Sequence, residues 1–218
     1  YYFRGILNLY NKRNFELAVN DFTKCIQMKP EVAESYFMRG IAYESLEKYI
    51  EANKDYTTCI KIDKDNLDAY FRRGLVKSNL GDRTGAIVDY DYIINYKGSK
   101  KNEFKAMATT YNNKAYCLVE LGNNTDALPL VNKALDLEKG ESYIWDTRGE
   151  IFYNLQEYEK CIKDMDKALS IDESENSYYI RGLAKIKLGK KSEGCSDLSK
   201  AGELGKTEAY EAIKQYCK

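Results

Sequence analysis

The dipeptide Arg-Gly returns down this chain at an almost fixed interval: Arg4-Gly5, Arg39-Gly40, Arg73-Gly74, Arg148-Gly149 and Arg181-Gly182. Lys114-Ala115 fills the one gap, so successive marks stand 35, 34, 41, 34 and 33 residues apart. A period near 34 residues belongs to stacked-repeat chains, in which each unit buries its apolar face on its neighbours. The length of 218 residues therefore counts units rather than separate domains, and one array over 1–218 is expected.

Aligned on the glycine, each unit reads as two helices. In residues 33–66 the first half places Tyr36, Phe37, Ile41 and Tyr43 at helical spacing, and Leu46 closes it before a polar turn. The second half carries Ala52, Tyr56, Cys59, Ile60 and Ile62 at steps of three and four. The closing leucine recurs as Leu80, Leu121, Leu155 and Leu188. The slot four after the alanine recurs as Phe22, Tyr90, Val131, Met165 and Leu198. Small residues at Gly40 and Ala52 let the two helices approach closely. An Asp also follows each marked Arg by sixteen residues: Asp55, Asp89, Asp164 and Asp197. In the first unit the interval from Arg4 to Asp21 is seventeen, which suggests one extra residue in the turn. In the fourth unit Lys114 and Leu130 replace both partners, a joint loss that points to a charge pair between the helices.

This layout resembles the tetratricopeptide repeat, a helix–turn–helix unit of 34 residues with small, aromatic and alanine positions at these offsets. The resemblance covers nearly the whole chain and implies an all-α, right-handed α-solenoid. Its six repeats fall at about 1–30, 31–66, 67–100, 101–141, 142–174 and 175–205. Residues 206–218 follow with Ala209, Ala212, Ile213 and Tyr216 on one face, as a terminal capping helix requires. The lysine-bearing stretch 97–107 adds seven residues to the period and reads as a solvated loop leading into a lengthened helix.

Composition removes whole classes of function. Lysine plus arginine equals aspartate plus glutamate at 34 each, so no global field draws the chain to nucleic acid or an anionic membrane. Histidine is absent, which removes the commonest general base and metal ligand. No glycine-rich phosphate loop or nucleophile elbow occurs. The chain is accordingly read as non-enzymatic, with no cofactor and no metal. The Asp146–Glu150 pair, four apart on one helix face, is the nearest thing to an acid–base couple and is read as solvated groove residues.

Cys25, Cys59 and Cys161 occupy slots that hold alanine in other repeats, and are read as small buried hydrophobes. Cys195 and Cys217, both in the last packing layer, are left open between two thiols and a disulfide; the latter would imply an oxidising compartment. No run of eighteen apolar residues exists, so membrane insertion is not expected. A soluble cytoplasmic chain is favoured, with export left open. The first residue, Tyr1, already lies within a helical pattern, so a longer precursor is expected.

In the family that this chain resembles, the first helix of each pair lines a concave face. Carried over, the residues three before and one after each glycine slot point into that groove. They are Tyr2 and Ile6, Phe37 and Ile41, Phe71 and Leu75, Asn112 and Tyr116, Asp146 and Glu150, Tyr179 and Leu183. Asn113 and Tyr143 stand beside them. The strip is aromatic and aliphatic in the first three units, amide-bearing in the fourth and acidic in the fifth. The resemblance thus implies a protein-interaction scaffold, monomeric or weakly oligomeric, whose peptide partner is apolar at one end and basic at the other. The family's carboxylate clamp for acidic tails is absent, since Tyr2, Ile6, Phe37 and Ile41 stand where its leading Lys and Asn would be. A helical-repeat nucleic-acid binder and a structural module of a larger assembly are the alternatives. The former would need a basic groove, and Arg72 is nearly the only cation among the inward slots.

Overall fold

The computed structural model describes residues 1–102 and 104–218, and every regular element among them is helical. Glu103, within the inserted stretch, lies outside the described residues. The helices gather into two compact units, Tyr1–Ala106 and Met107–Lys218, so the division falls inside the seven-residue insertion. The first unit holds α1 (Tyr2–Ile6), α2 (Phe15–Met28), α3 (Ala33–Ser45), α4 (Tyr49–Ile62), α5 (Leu67–Asn79) and α6 (Arg83–Asn95). The second holds α7 (Met107–Glu120), α8 (Asn124–Leu137), α9 (Ser142–Asn154), α10 (Tyr158–Ile171), α11 (Glu175–Lys187), α12 (Lys191–Glu203) and α13 (Glu208–Tyr216). Within each unit successive helices pack as antiparallel hairpins, and each hairpin packs on the next.

Each first helix ends on a left-handed residue, which turns the chain back in three or four residues. Gly81, Gly122 and Gly189 take this conformation without a side-chain penalty, whereas Arg13, Glu47 and Gln156 adopt it with φ of 50°, 57° and 62°. The first repeat absorbs its extra residue differently from the sequence expectation. The surplus sits at the end of the helix as a π-helical turn, Leu7–Asn11, with Lys12 N donating to Leu7 O at 3.1 Å. The loop itself keeps the usual length, and Arg4 still faces Asp21.

Close approach explains the recurring glycine. A methyl group at Gly74 would stand 2.6 Å from the Tyr90 ring, and one at Gly40 would stand 2.7 Å from Tyr56. Both rings are fully buried. In the fourth repeat the pair is Ala115 against Val131, both fully buried, so a larger residue on one helix meets a smaller one on its partner.

The arginines of four marks are three-helix clips, whereas Arg4 closes only its own hairpin, on Asp21. Arg39 Nε and Nη2 donate to Asp55 at 2.8 Å each, and Arg39 Nη1 donates to Thr23 Oγ1 of the preceding repeat at 3.0 Å. Arg73 repeats this with Asp89 (2.9 and 2.6 Å) and Thr57 (3.3 Å). Arg148 uses Asp164 (2.7 and 2.9 Å) and Asn132 (3.0 Å), and Arg181 uses Asp197 (2.8 and 2.7 Å) and Asp166 (2.6 Å). The planar fork of arginine suits this two-sided grip. Each guanidinium also lies over an aromatic ring one turn earlier on its own helix: Tyr36, Tyr70, Trp145 and Tyr178, at 4.9–5.9 Å. The clip therefore ties a repeat to its predecessor as well as closing its own hairpin.

The insertion forms a short 3-10 turn, Ser99–Asn102, and α7 has 14 residues, one more than the first helices α3, α5, α9 and α11, so nearly all of the added length lies ahead of the helix. Lys101 Nζ donates to Ile94 O at 2.6 Å and Lys100 reaches Asp63 at 3.4 Å, which docks the turn on the first unit. At the other end α13 packs on α12 with Ala209 and Ala212 buried, and Cys195 is joined to Cys217. Cys59, Cys117 and Cys161 are buried thiols, and Cys25 is half-buried.

Candidate functional site

Two positions of the inward strip carry little exposed surface: Ile41 is 8% exposed and Asn112 is 4% exposed. In the first unit Tyr2, Ile6, Phe37, Phe71 and Leu75 are half-buried. Their rings lean on the core: Tyr2 meets Phe22 at 5.9 Å, Phe37 meets Tyr56 at 5.9 Å and Phe71 meets Tyr90 at 6.3 Å. Phe71 is also met edge-on by Phe104 at 6.0 Å. The insertion therefore lays a ring over the third-repeat part of the strip, a contact for which its aperiodic sequence carried no signal.

Charge on this face of the first unit is satisfied internally. Glu44, one turn beyond the Gly40 slot, accepts from Tyr56 Oη at 2.6 Å and from Arg72 Nη1 at 3.2 Å. Burial and the Glu44 carboxylate together push the Tyr56 phenol far above its ordinary range. Arg72, on this face, is thus already engaged.

The second unit is built otherwise. Asn113 is half-buried, while Tyr116 and Tyr143 are 39% and 37% exposed. Tyr143 Oη lies 3.1 Å from Thr109 Oγ1. Asp146 and Glu150 follow one turn apart on α9, both half-buried. Asp146 accepts a short hydrogen bond from Ser177 Oγ, yet burial raises its carboxyl above the usual range. Glu150 is raised too, first by burial and then by the Glu120 and Asp146 carboxylates, with Lys206 acting the other way. Among the described residues neither is in an ion pair with a cation. Tyr179, half-buried on α11, carries Lys206 Nζ over its ring at 5.4 Å and closes this side of the cluster.

Comparison with known proteins bears on the fold and the family. The family models of the tetratricopeptide repeat match residues 33–66, 108–140 and 142–175. These are the second, fourth and fifth units of the sequence period, in phase. The chain carries tetratricopeptide repeats. No curated protein matches it. Among solved structures, the type IV pilus biogenesis factor PilW aligns with a TM-score of 0.80 at 10% identity, covering 97% of this chain and 96% of that one. The Pseudomonas aeruginosa protein pilF aligns with a TM-score of 0.79 at 13% identity, covering 97% and 93%. YrrB, described as a TPR protein with an unusual peptide-binding site, gives 0.66 at 18% identity, covering 88% and 97%. At such identities the likeness concerns the fold, an α-solenoid. Tetratricopeptide repeats are generally non-catalytic, and the repeats of this chain support a protein-interaction repeat scaffold. Among the described residues no cluster of potential metal ligands occurs, and no helix is long and apolar enough to cross a membrane.

Proposed function

We propose that this chain, carrying tetratricopeptide repeats, is a non-catalytic adaptor that captures protein segments on the first-helix faces of its units. The first unit offers Tyr2, Ile6, Phe37, Phe71 and Leu75 to apolar side chains. The second offers Asp146 and Glu150, with Tyr116, Tyr143 and Tyr179 alongside, to a lysine or arginine. One observation carries this reading. Asp146 and Glu150 are held half-buried with no ion pair among the described residues, and burial raises both carboxyl groups despite the pull of Lys206 on Glu150. A partner's cation would remove the penalty, so binding gains from a cost already present in the free protein. The nucleic-acid alternative is not favoured, because Arg72 is taken up by Glu44.

The test is binding of peptides selected from a library for affinity to the whole chain. Ligands for the second unit should contain Lys or Arg and should bind D146N/E150Q at least about ten-fold more weakly, a loss of 1.4 kcal/mol. Selected peptides that bind this variant as well as the parent would defeat the reading. The disulfide Cys195–Cys217 turns the favoured compartment towards an oxidising one. Four free thiols per chain in protein isolated from its native source would support that placement, and six would oppose it.

A further inference from the structure

The strongest unexplained surface lies on the opposite side of α9 from Asp146 and Glu150. There Trp145 and Phe152 border a groove of 740 Å³ against α10. At 100° per residue, positions 145, 148 and 152 lie about 100–160° around the helix from 146 and 150. The groove is thus distinct from the face assigned above. Its far wall is a row of lysines, Lys160, Lys163 and Lys167, on one side of α10 and spanning about 10 Å.

The row is peculiar to this repeat. Counted from the alanine slot, the same three positions read Glu51, Lys54 and Thr58 in the second repeat and Gly85, Val88 and Tyr92 in the third. In the sixth they read Glu193, Ser196 and Lys200. The acids near the groove are already committed: Asp164 to Arg148 and Asp166 to Arg181. Lys160 pairs with its neighbour Glu157 and lies over the Phe152 ring at 5.3 Å, and Lys163 and Lys167 are exposed with no carboxylate partner among the described residues. The groove therefore combines aromatic walls with uncompensated positive charge.

The third repeat displays what covers the equivalent place. Tyr92, at the position of Lys167, stacks on Tyr70, at the position of Trp145, with ring centroids 3.9 Å apart and planes 12° from parallel. Arg73 lies over the same Tyr70 at 5.4 Å. In the fifth repeat Arg148 lies over Trp145 at 4.9 Å, but a lysine stands where the stacking ring would be, and among the described residues no ring stacks on Trp145.

We propose that this groove is a second docking site, and that its occupant is an acidic segment of another protein. The segment places an aromatic side chain on Trp145, as Tyr92 does on Tyr70, and sets carboxylates against Lys163 and Lys167. Aromatic stacking supplies the anchor and the exposed lysines supply steering and register. The site is independent of the Asp146–Glu150 reading.

Trp145 is the only tryptophan in the chain, so its fluorescence reports the site directly. A tryptophan-free peptide library is selected on the whole chain carrying D146N/E150Q, which neutralises the acidic face of the second unit. The enriched peptides should carry Phe or Tyr among two or more Asp or Glu residues and should change the Trp145 emission. They should bind K163E/K167E at least ten-fold more weakly, and D146N/E150Q as tightly as the parent. Circular dichroism should show the same melting curve for K163E/K167E as for the parent; K163Q/K167Q serves if it does not. The proposal is overturned if no peptide is enriched, or if the enriched set lacks the acidic–aromatic pattern. It is equally overturned if a single-stranded RNA or phosphatidylserine vesicles change Trp145 emission with the same lysine dependence and more strongly than the peptides.

Discussion

The two units treat charge on their first-helix faces in opposite ways. In Tyr1–Ala106, Glu44, Arg72 and the Tyr56 hydroxyl satisfy one another, and the remaining strip is apolar. In Met107–Lys218, Asp146 and Glu150 are half-buried with no cation in an ion pair among the described residues, and their protons are held more tightly than usual. The packing frame beneath is shared: glycine or alanine against a complementary side chain, and a guanidinium clip where Arg and Asp are both present. A common frame with different satisfaction of its inward groups separates residues that hold the solenoid from residues that await something else.

The frame should respond alike in both units, and most strongly. Removing the carboxylate with D89A or D164A leaves a clipped guanidinium without its partner and should cost about 3–5 kcal/mol in denaturant unfolding. A loss below 1 kcal/mol in either would break the equivalence. The faces should then diverge. E44A strips Arg72 and the buried Tyr56 hydroxyl of their acceptor and should destabilise the first unit by roughly 1–3 kcal/mol.

D146N/E150Q should do the reverse and stabilise the free protein at neutral pH. Because both carboxyl groups have raised values in the fold, the native state binds more protons than the unfolded chain between the ordinary carboxylate range and those raised values. Stability therefore falls as pH rises through that window. The double variant should flatten that slope, as thermal melts from pH 4 to 8 would show. An unchanged slope would mean the two acids are not responsible.

The smallest effect belongs to the turns. E47G and Q156G relieve a left-handed residue with a side chain, and each should add up to about 1 kcal/mol after the greater entropy of glycine in the unfolded chain is subtracted. If both variants are destabilised in chemical unfolding, the turns are not strained.

Much of the frame was legible in the sequence because it repeats. The glycine slot, its buried partner four after the alanine, and the Arg–Asp interval all surfaced as spacings. So did the joint exchange to Lys114 and Leu130. A second column was equally visible and went unread. Tyr1, Tyr36, Tyr70, Tyr111, Trp145 and Tyr178 stand three before the marked basic residue in all six repeats. Their service to the guanidinium became plain only when Arg39, Arg73, Arg148 and Arg181 were seen to bridge backwards to Thr23, Thr57, Asn132 and Asp166.

The inward strip was harder to read. A 100° step per residue does not say how closely a neighbouring helix approaches, so Ile41 and Asn112 are buried although the residues that share their slots are half-buried or, at Tyr116, exposed. Phe104 reaches Phe71 from an aperiodic segment. Pairing of Cys195 with Cys217 depends on a Cα separation, 5.8 Å, that no spacing rule supplies.

The contrast between the faces is tested most directly by titrating one selected basic peptide into the parent and into D146N/E150Q at pH 7 and at pH 5. With the parent, binding should weaken from pH 7 towards pH 5, because burial raises both carboxyl groups and so favours their uncharged forms on acidification. With the variant it should be at least ten-fold weaker at pH 7 and show little dependence on pH. Equal affinities for the two proteins at pH 7 would contradict the account.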